Sequence, residues 1–143
     1  QLYLGINLRF TLVPFLQKIL QLHGNLNEGD DNGLTPIMTF AHVVQPTQTN
    51  LRCFMDMLSL PTIDATLLDN NGKTLLHYLM RNDSLLDSPY IEDLAVIISK
   101  IVEMRGSLHR KDNAGISPWD ILIRRGSSSD SPSQLAEKLT ATM

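Results

Sequence analysis

The chain is predicted to be an all-α solenoid of stacked helix-turn-helix units, and three observations carry that prediction. First, one phrase recurs: Asp30-Asp31-Asn32-Gly33-Leu34-Thr35-Pro36-Ile37, then Asp69-Asn70-Asn71-Gly72-Lys73-Thr74-Leu75-Leu76-His77, then Asp112-Asn113-Ala114-Gly115-Ile116-Ser117-Pro118-Trp119. Second, each copy is followed by apolar residues at helical spacing. Third, the signals inside each copy are those of a turn entering a helix. Gly33, Gly72 and Gly115 supply a left-handed turn position, and Thr35, Thr74 and Ser117 stand where an N-cap hydroxyl is needed. Pro36 and Pro118 occupy the first helical position, where a missing N–H costs nothing.

Residues 1–27 read as a partial repeat. Leu12, Phe15, Leu16, Ile19 and Leu20 form an apolar stripe that ends at Gly24. The first full repeat, 28–66, has an inner helix from Thr35 to Val44. A break at 45–50 follows, and then an outer helix with Leu51, Phe54, Met55 and Leu58 on one face. The second, 67–109, turns Leu75, Leu76, Leu79 and Met80 inward. Its outer helix carries Leu94, Ile97, Ile98, Ile101 and Val102 at i, i+3, i+4, i+7 and i+8 spacing. The third, 110–143, has Ile121, Leu122 and Ile123 on its inner helix, a polar break at 127–133, and a final helix bearing Leu135 and Leu139.

The repeated phrase strongly resembles the ankyrin repeat, whose hallmark is Asp-x-x-Gly-x-Thr-Pro-Leu-His. Thr74-Leu75-Leu76-His77 matches best, with Leu75 in place of proline, and the other two copies lack the histidine. Motif glycines lie 39 and 43 residues apart, against about 33 in a standard repeat. The excess is placed between the helices, at 45–50, 82–92 and 127–133. The paired small residues of the ankyrin inner helix are replaced by Phe40-Ala41, Leu79-Met80 and Leu122-Ile123. Such insertions and weakened boxes are similar to those of the ankyrin modules in fungal cell-cycle transcription factors, and of viral and bacterial effectors.

The 143 residues carry a net charge of −3, which argues against general attraction to nucleic acid or anionic membrane. Cys53 is the sole cysteine, so neither an intrachain disulfide nor a cysteine zinc cluster can form. That suits an intracellular compartment, nuclear or cytoplasmic. No apolar run approaches the roughly 18 residues a membrane-spanning helix needs. The apolar start at Gln1 predicts a piece of a longer protein.

No constellation for catalysis, cofactor or metal is expected. His77 has no acid or nucleophile placed beside it and fits a turn-bonding role. Cys53 begins an apolar outer-helix face, which suits a buried thiol better than a nucleophile. His23, His42 and His109 follow no metal-binding spacing. Asp30, Asp69 and Asp112 stand one repeat apart, so turn hydrogen bonds explain them better than a carboxylate cluster. Met55, Met57 and Met80 fit core filling, and Trp119 takes the box's leucine place.

The resemblance implies a non-catalytic protein-interaction role, exercised through loop tips and the exposed side of the inner helices. Those positions are Asp31, Asn32, Leu34 and His42 in the first repeat, and Asn70, Asn71, Lys73, Arg81 and Asn82 in the second. The third supplies Asn113, Ala114, Ile116, Arg124 and Arg125. The later sets are basic and suit an acidic peptide or protein segment, without direct nucleic-acid or membrane contact. The expected setting is a larger regulatory protein, with transcription regulation implied by the narrower resemblance. The competing expectation is a structural spacer packed against flanking domains of the same chain.

Overall fold

A computed structural model describes residues 26–127 and 130–142, and all regular secondary structure among them is helical. The elements are α1 (Pro36–Val43), α2 (Gln48–Leu58), α3 (Leu75–Met80), α4 (Asp83–Leu86), α5 (Ile91–Glu103), α6 (Pro118–Gly126) and α7 (Asp130–Thr142). They pack as two rows. In one row α3 lies between α1 and α6, and in the other α5 lies between α2 and α7. The stripe expected at Leu12 to Leu20 and the glycine cap at Gly24 fall outside the described residues.

Three nearly identical turns open the units. Asp30 Oδ1 accepts from the backbone N–H of Asn32 and Leu34 at 2.9 and 3.0 Å. Asp69 does the same for Asn71 and Lys73, both at 2.8 Å, and Asp112 for Ala114 and Ile116 at 2.9 and 3.0 Å. The glycine in each is left-handed, with φ of 83° at Gly33, 76° at Gly72 and 80° at Gly115. Neighbouring turns are stitched by main-chain bonds from Asn70 N to Asn32 O (3.0 Å) and from Asn113 N to Asn71 O (2.9 Å). A Cβ on Gly33 or Gly72 would come within 2.7 Å of the Asn70 or Asn113 side-chain oxygen, whereas one on Gly115 would meet nothing.

The helix starts follow from local chemistry. Thr74 and Ser117 form reciprocal capping boxes with His77 and Asp120. Thr35 holds the same place without a side-chain cap bond, and its third residue on, Met38, has no polar group to reciprocate. Pro36 and Pro118 open α1 and α6 as expected.

The core runs continuously through both rows. Leu75, Leu76, Leu79 and Met80 are buried, as are Leu94, Ile97, Ile98 and Ile101, while Val102 is half-buried. In α2 it is Cys53 and Met57, with Leu51, Phe54 and Leu58, that are buried, and Met55 is only half-covered. The 3.6-residue period rotates Met57 inward beside Phe54. Leu122 is buried, but Ile123 is 48% exposed and Trp119 half-buried. Burying a leucine or isoleucine side chain contributes about 1.5–3 kcal/mol, so this continuous interior outweighs any single turn bond.

The inter-helix segments are shorter than their composition suggests. Thr47 Oγ1 caps α2 at Asn50 N (3.0 Å), so the helix begins inside the expected 45–50 break. Within 82–92 stands α4, whose Leu85 and Leu86 are fully buried. The last helix starts at Asp130, inside the expected 127–133 break.

Replacing Gly72 with valine is expected to cost about 1–3 kcal/mol, because a β-branched residue resists positive φ and would also strike Asn113. Gly115→Val meets only the first penalty and should cost less. Urea unfolding of the two variants against the parent measures the difference; equal losses would remove the stacking role of Gly72.

Candidate functional site

The second and third units enclose a groove of about 500 Å³ lined by Lys73, Arg81, Asp112, Ala114, Ile116, Ile121, Arg124 and Arg125. The four cations arrive from three places in the chain. Lys73 lies in the second turn, Arg81 caps the end of α3, and Arg124 and Arg125 occupy the last turn of α6, where positive charge complements the helix dipole.

Their charges are not equivalent. Lys73 Nζ lies 3.5 Å from Asp112 Oδ2, with both side chains largely covered. Asp112 is pushed up by burial, but hydrogen bonds from Ile116 and Ala114 and the Lys73 charge outweigh that and hold it below the usual carboxylate range. Arg125 pairs with Asp83, and its Nε donates to Met80 O at 3.0 Å. Arg81 and Arg124 are both exposed, and neither forms an ion pair among the described residues. Arg124 does feel the Asp120 carboxylate, which its field helps to hold low behind the hydrogen bonds from Ser117. Half-buried Ile116 and Ile121 provide an apolar floor.

The remaining expected partner-facing residues differ in exposure and bonding. Asp31, Asn32 and Asn71 are exposed at turn tips, while Asn70 and Asn113 are exposed and also join turns: their side-chain amides donate to Asp31 O (3.0 Å) and Asn70 O (3.4 Å). Leu34 is half-buried, and His42 is exposed with its ring edge-on to Tyr78 at 5.4 Å. None of these lines the groove. Asn82 is a correction, since it is only 5% exposed. Its amide donates to Ala41 O (3.0 Å) and Val44 O (2.9 Å), and its oxygen caps α4 at Leu85 N (3.2 Å). A polar residue in an apparent loop satisfied three backbone groups between helices, so it turned inward. The sequence places Ile121 on the inner helix and Asp112 in its turn. Both also face the groove, and only the packing of α6 against α3 reveals it.

His77 lies beneath this site with no exposed surface. Its Nδ1 accepts from Thr74 N at 2.9 Å. Nε2 therefore carries the proton and donates to Ile116 O at 2.8 Å, tying the second unit to the third. Burial lowers the proton affinity of the ring, opposed by the Ile116 bond and the charge of Asp112. Tyr78 donates to Asp69 Oδ2; burial and then Asp69 push the phenol well up. Burial also raises Asp69, but the bonds from Tyr78, Lys73 and Asn71 leave it below the usual carboxylate range. Cys53 is buried and its thiol is pushed up to about 11 by burial and Asp56, which makes it unreactive near neutral pH. Among the described residues no group of His, Cys, Asp and Glu is arranged to hold a metal, and no helix is long and apolar enough to cross a membrane.

No protein-family model matches the chain, and no curated protein matches it in sequence. The geometry therefore carries the functional argument.

Because His77 is depressed in the folded state, the unfolded chain binds a proton first as pH falls below the ordinary imidazole value of about 6.5. Stability from this residue is full above that value and is lost as pH falls toward the folded one. Unfolding at pH 7.5 and pH 5.5 should show the loss in the parent. In His77→Gln that pH dependence should largely vanish, with stability at pH 7.5 lower by about 1–3 kcal/mol for the broken buried bonds. A variant with the parent's pH slope would exclude His77 as its source.

Proposed function

We propose that this chain is a non-catalytic, ankyrin-type protein-recognition module of a larger regulatory protein, and that it binds an acidic segment of a partner. The observation that carries the reading is the groove itself. Cations from α3, the second turn and α6 converge over an apolar floor, and two of them, Arg81 and Arg124, are exposed and outside any ion pair of the described residues. Lys73 and Arg125 hold their places through Asp112 and Asp83, so they shape the wall and contribute less net attraction. An acidic segment gains from Arg81 and Arg124 without first breaking a partner bond. Alternating apolar side chains of that segment would cover Ile116 and Ile121.

The three Asp-Gly turns and the two helix rows support the ankyrin-type reading. So does the bonding of His77 between its own cap and the next unit. The same features support recognition over chemistry, since the buried polar groups are spent on backbone hydrogen bonds. Transcription regulation and a nuclear or cytoplasmic setting belong to this proposal through the sequence resemblance alone.

The test is a display library of acidic peptides with interspersed apolar residues, screened against the parent and an Arg81→Glu/Arg124→Glu double variant. Parent binding should weaken with added salt, because exposed charges are screened over about 8 Å at physiological ionic strength. The double variant should lose at least about tenfold in affinity with its helical content unchanged, as reversal replaces attraction by repulsion. Equal binding by both proteins at low and high salt would remove the groove, and a folded parent that selects no peptide would favour the spacer role.

A further inference from the structure

A second cavity, sharing no residue with the groove, lies where the end of α5 meets the preceding turn. It measures about 350 Å³ and is lined by Ala65, Thr66, Thr74, Arg105, Gly106, Ser107, His109 and Arg110. Arg105, His109 and Arg110 are exposed. Neither arginine forms an ion pair among the described residues, and no carboxylate lines the cavity. The acid closest in sequence to its Thr66 wall, Asp64, spends Oδ1 on the Thr66 N–H and hydroxyl at 2.9 and 2.6 Å. Ser107 Oγ accepts from His109 N at 3.1 Å, which leaves its hydroxyl hydrogen free to donate into the cavity.

The backbone at this point is unusual. Arg105 has φ of 76°, the sole non-glycine residue at positive φ among those described. Glycine is available next door but committed elsewhere. A Cβ on Gly106 would come within 2.6 Å of Ile101 Cγ2 and 2.9 Å of Ile101 O, so position 106 needs glycine for close approach. The helix ends in a Schellman motif, with Gly106 N donating to Ile101 O at 2.9 Å and Arg105 N to Val102 O at 3.0 Å, so the left-handed position falls to residue 105, where glycine would be unstrained and arginine is not. A cation just past a helix end complements the dipole, but an arginine one residue away would do that without the strain. Arg105 therefore lines the cavity, beside a second guanidinium from Arg110, from a backbone position that glycine would fill at lower cost.

We propose that this cavity binds a phosphate monoester carried on a side chain of a partner protein. Two guanidinium forks, a hydroxyl and an imidazole offer more donors than one carboxylate can accept, and they suit the oxygens of a tetrahedral dianion. The overall charge of −3 opposes an extended polyanion such as nucleic acid or an anionic bilayer, and leaves a single compact phosphate as the fitting ligand.

The test is an NMR titration of the 15N-labelled chain with a phosphothreonine peptide of neutral sequence. Its unphosphorylated and glutamate counterparts, inorganic phosphate and anionic vesicles serve as the other arms. Saturable shifts confined to Thr66 and Arg105 to Arg110 are expected with the phosphopeptide, the same shifts more weakly with phosphate, and none with the unphosphorylated peptide. R105G should unfold at a temperature no lower than the parent while binding the phosphopeptide about tenfold more weakly, the loss expected when a bond to a charged group is removed. R110A should weaken binding similarly with the fold intact. Parent-like binding by either variant would overturn the site, as would equal affinity for the glutamate peptide or preferential binding to vesicles. Shifts spread over all the basic residues would do the same.

Discussion

The structure depends on a neutral imidazole. His77 is wholly buried, takes the Thr74 amide on one nitrogen and gives the other nitrogen's proton to Ile116 O in the next unit. One ring thereby closes the capping box of its own helix and sets the height at which the third turn docks. A charged ring could not accept from Thr74, so this pair of bonds requires the neutral imidazole. The first and third copies have Met38 and Asp120 at this place, and neither reaches across to another turn.

Around that ring the polar interactions divide by reach. Bonds within a turn, from Asp30, Asp69 and Asp112, define the shape of each unit. Bonds between turns, from Asn70 and Asn113, stack the units and require glycine opposite them. Where two charges meet across units, as Lys73 and Asp112 do under partial cover, the pair also shapes a groove wall. Exposed pairs such as Lys138 with Glu92 contribute little, because solvent screens them. The fold thus commits most of its charge near the second and third turns to structure and leaves Arg81 and Arg124 toward solvent.

Much of this was legible in the residues. The Asp-x-x-Gly-x-(Thr/Ser) phrase encodes bonds that close over a few residues, so turn shape, positive φ and helix starts follow from sequence alone. The α5 stripe was equally plain, because its period leaves one face for burial. Legibility failed where neighbours compete for one interior. Met57 displaced Met55 from the core, and Ile123 was left outside while Leu122 went in. Composition also misread the segment after α3: its polar residues hide Leu85 and Leu86, and Asn82 serves backbone groups from α1.

By itself the sequence determined an all-helical chain of repeated turns, with its caps, its glycines and a low capacity for surface-wide anion attraction. These properties depend on torsional preference and on hydrogen bonds between residues close in the chain. Only the tertiary structure decided which cations are spent. Lys73 meets an acid in the following unit, Arg125 meets Asp83 of α4, and Arg81 and Arg124 meet none among the described residues. It also decided that Arg105 and Arg110 share one cavity with Thr66, a residue some forty positions earlier in the chain. Such outcomes depend on the offset between stacked units, and the irregular lengths between helices keep that offset out of any local pattern.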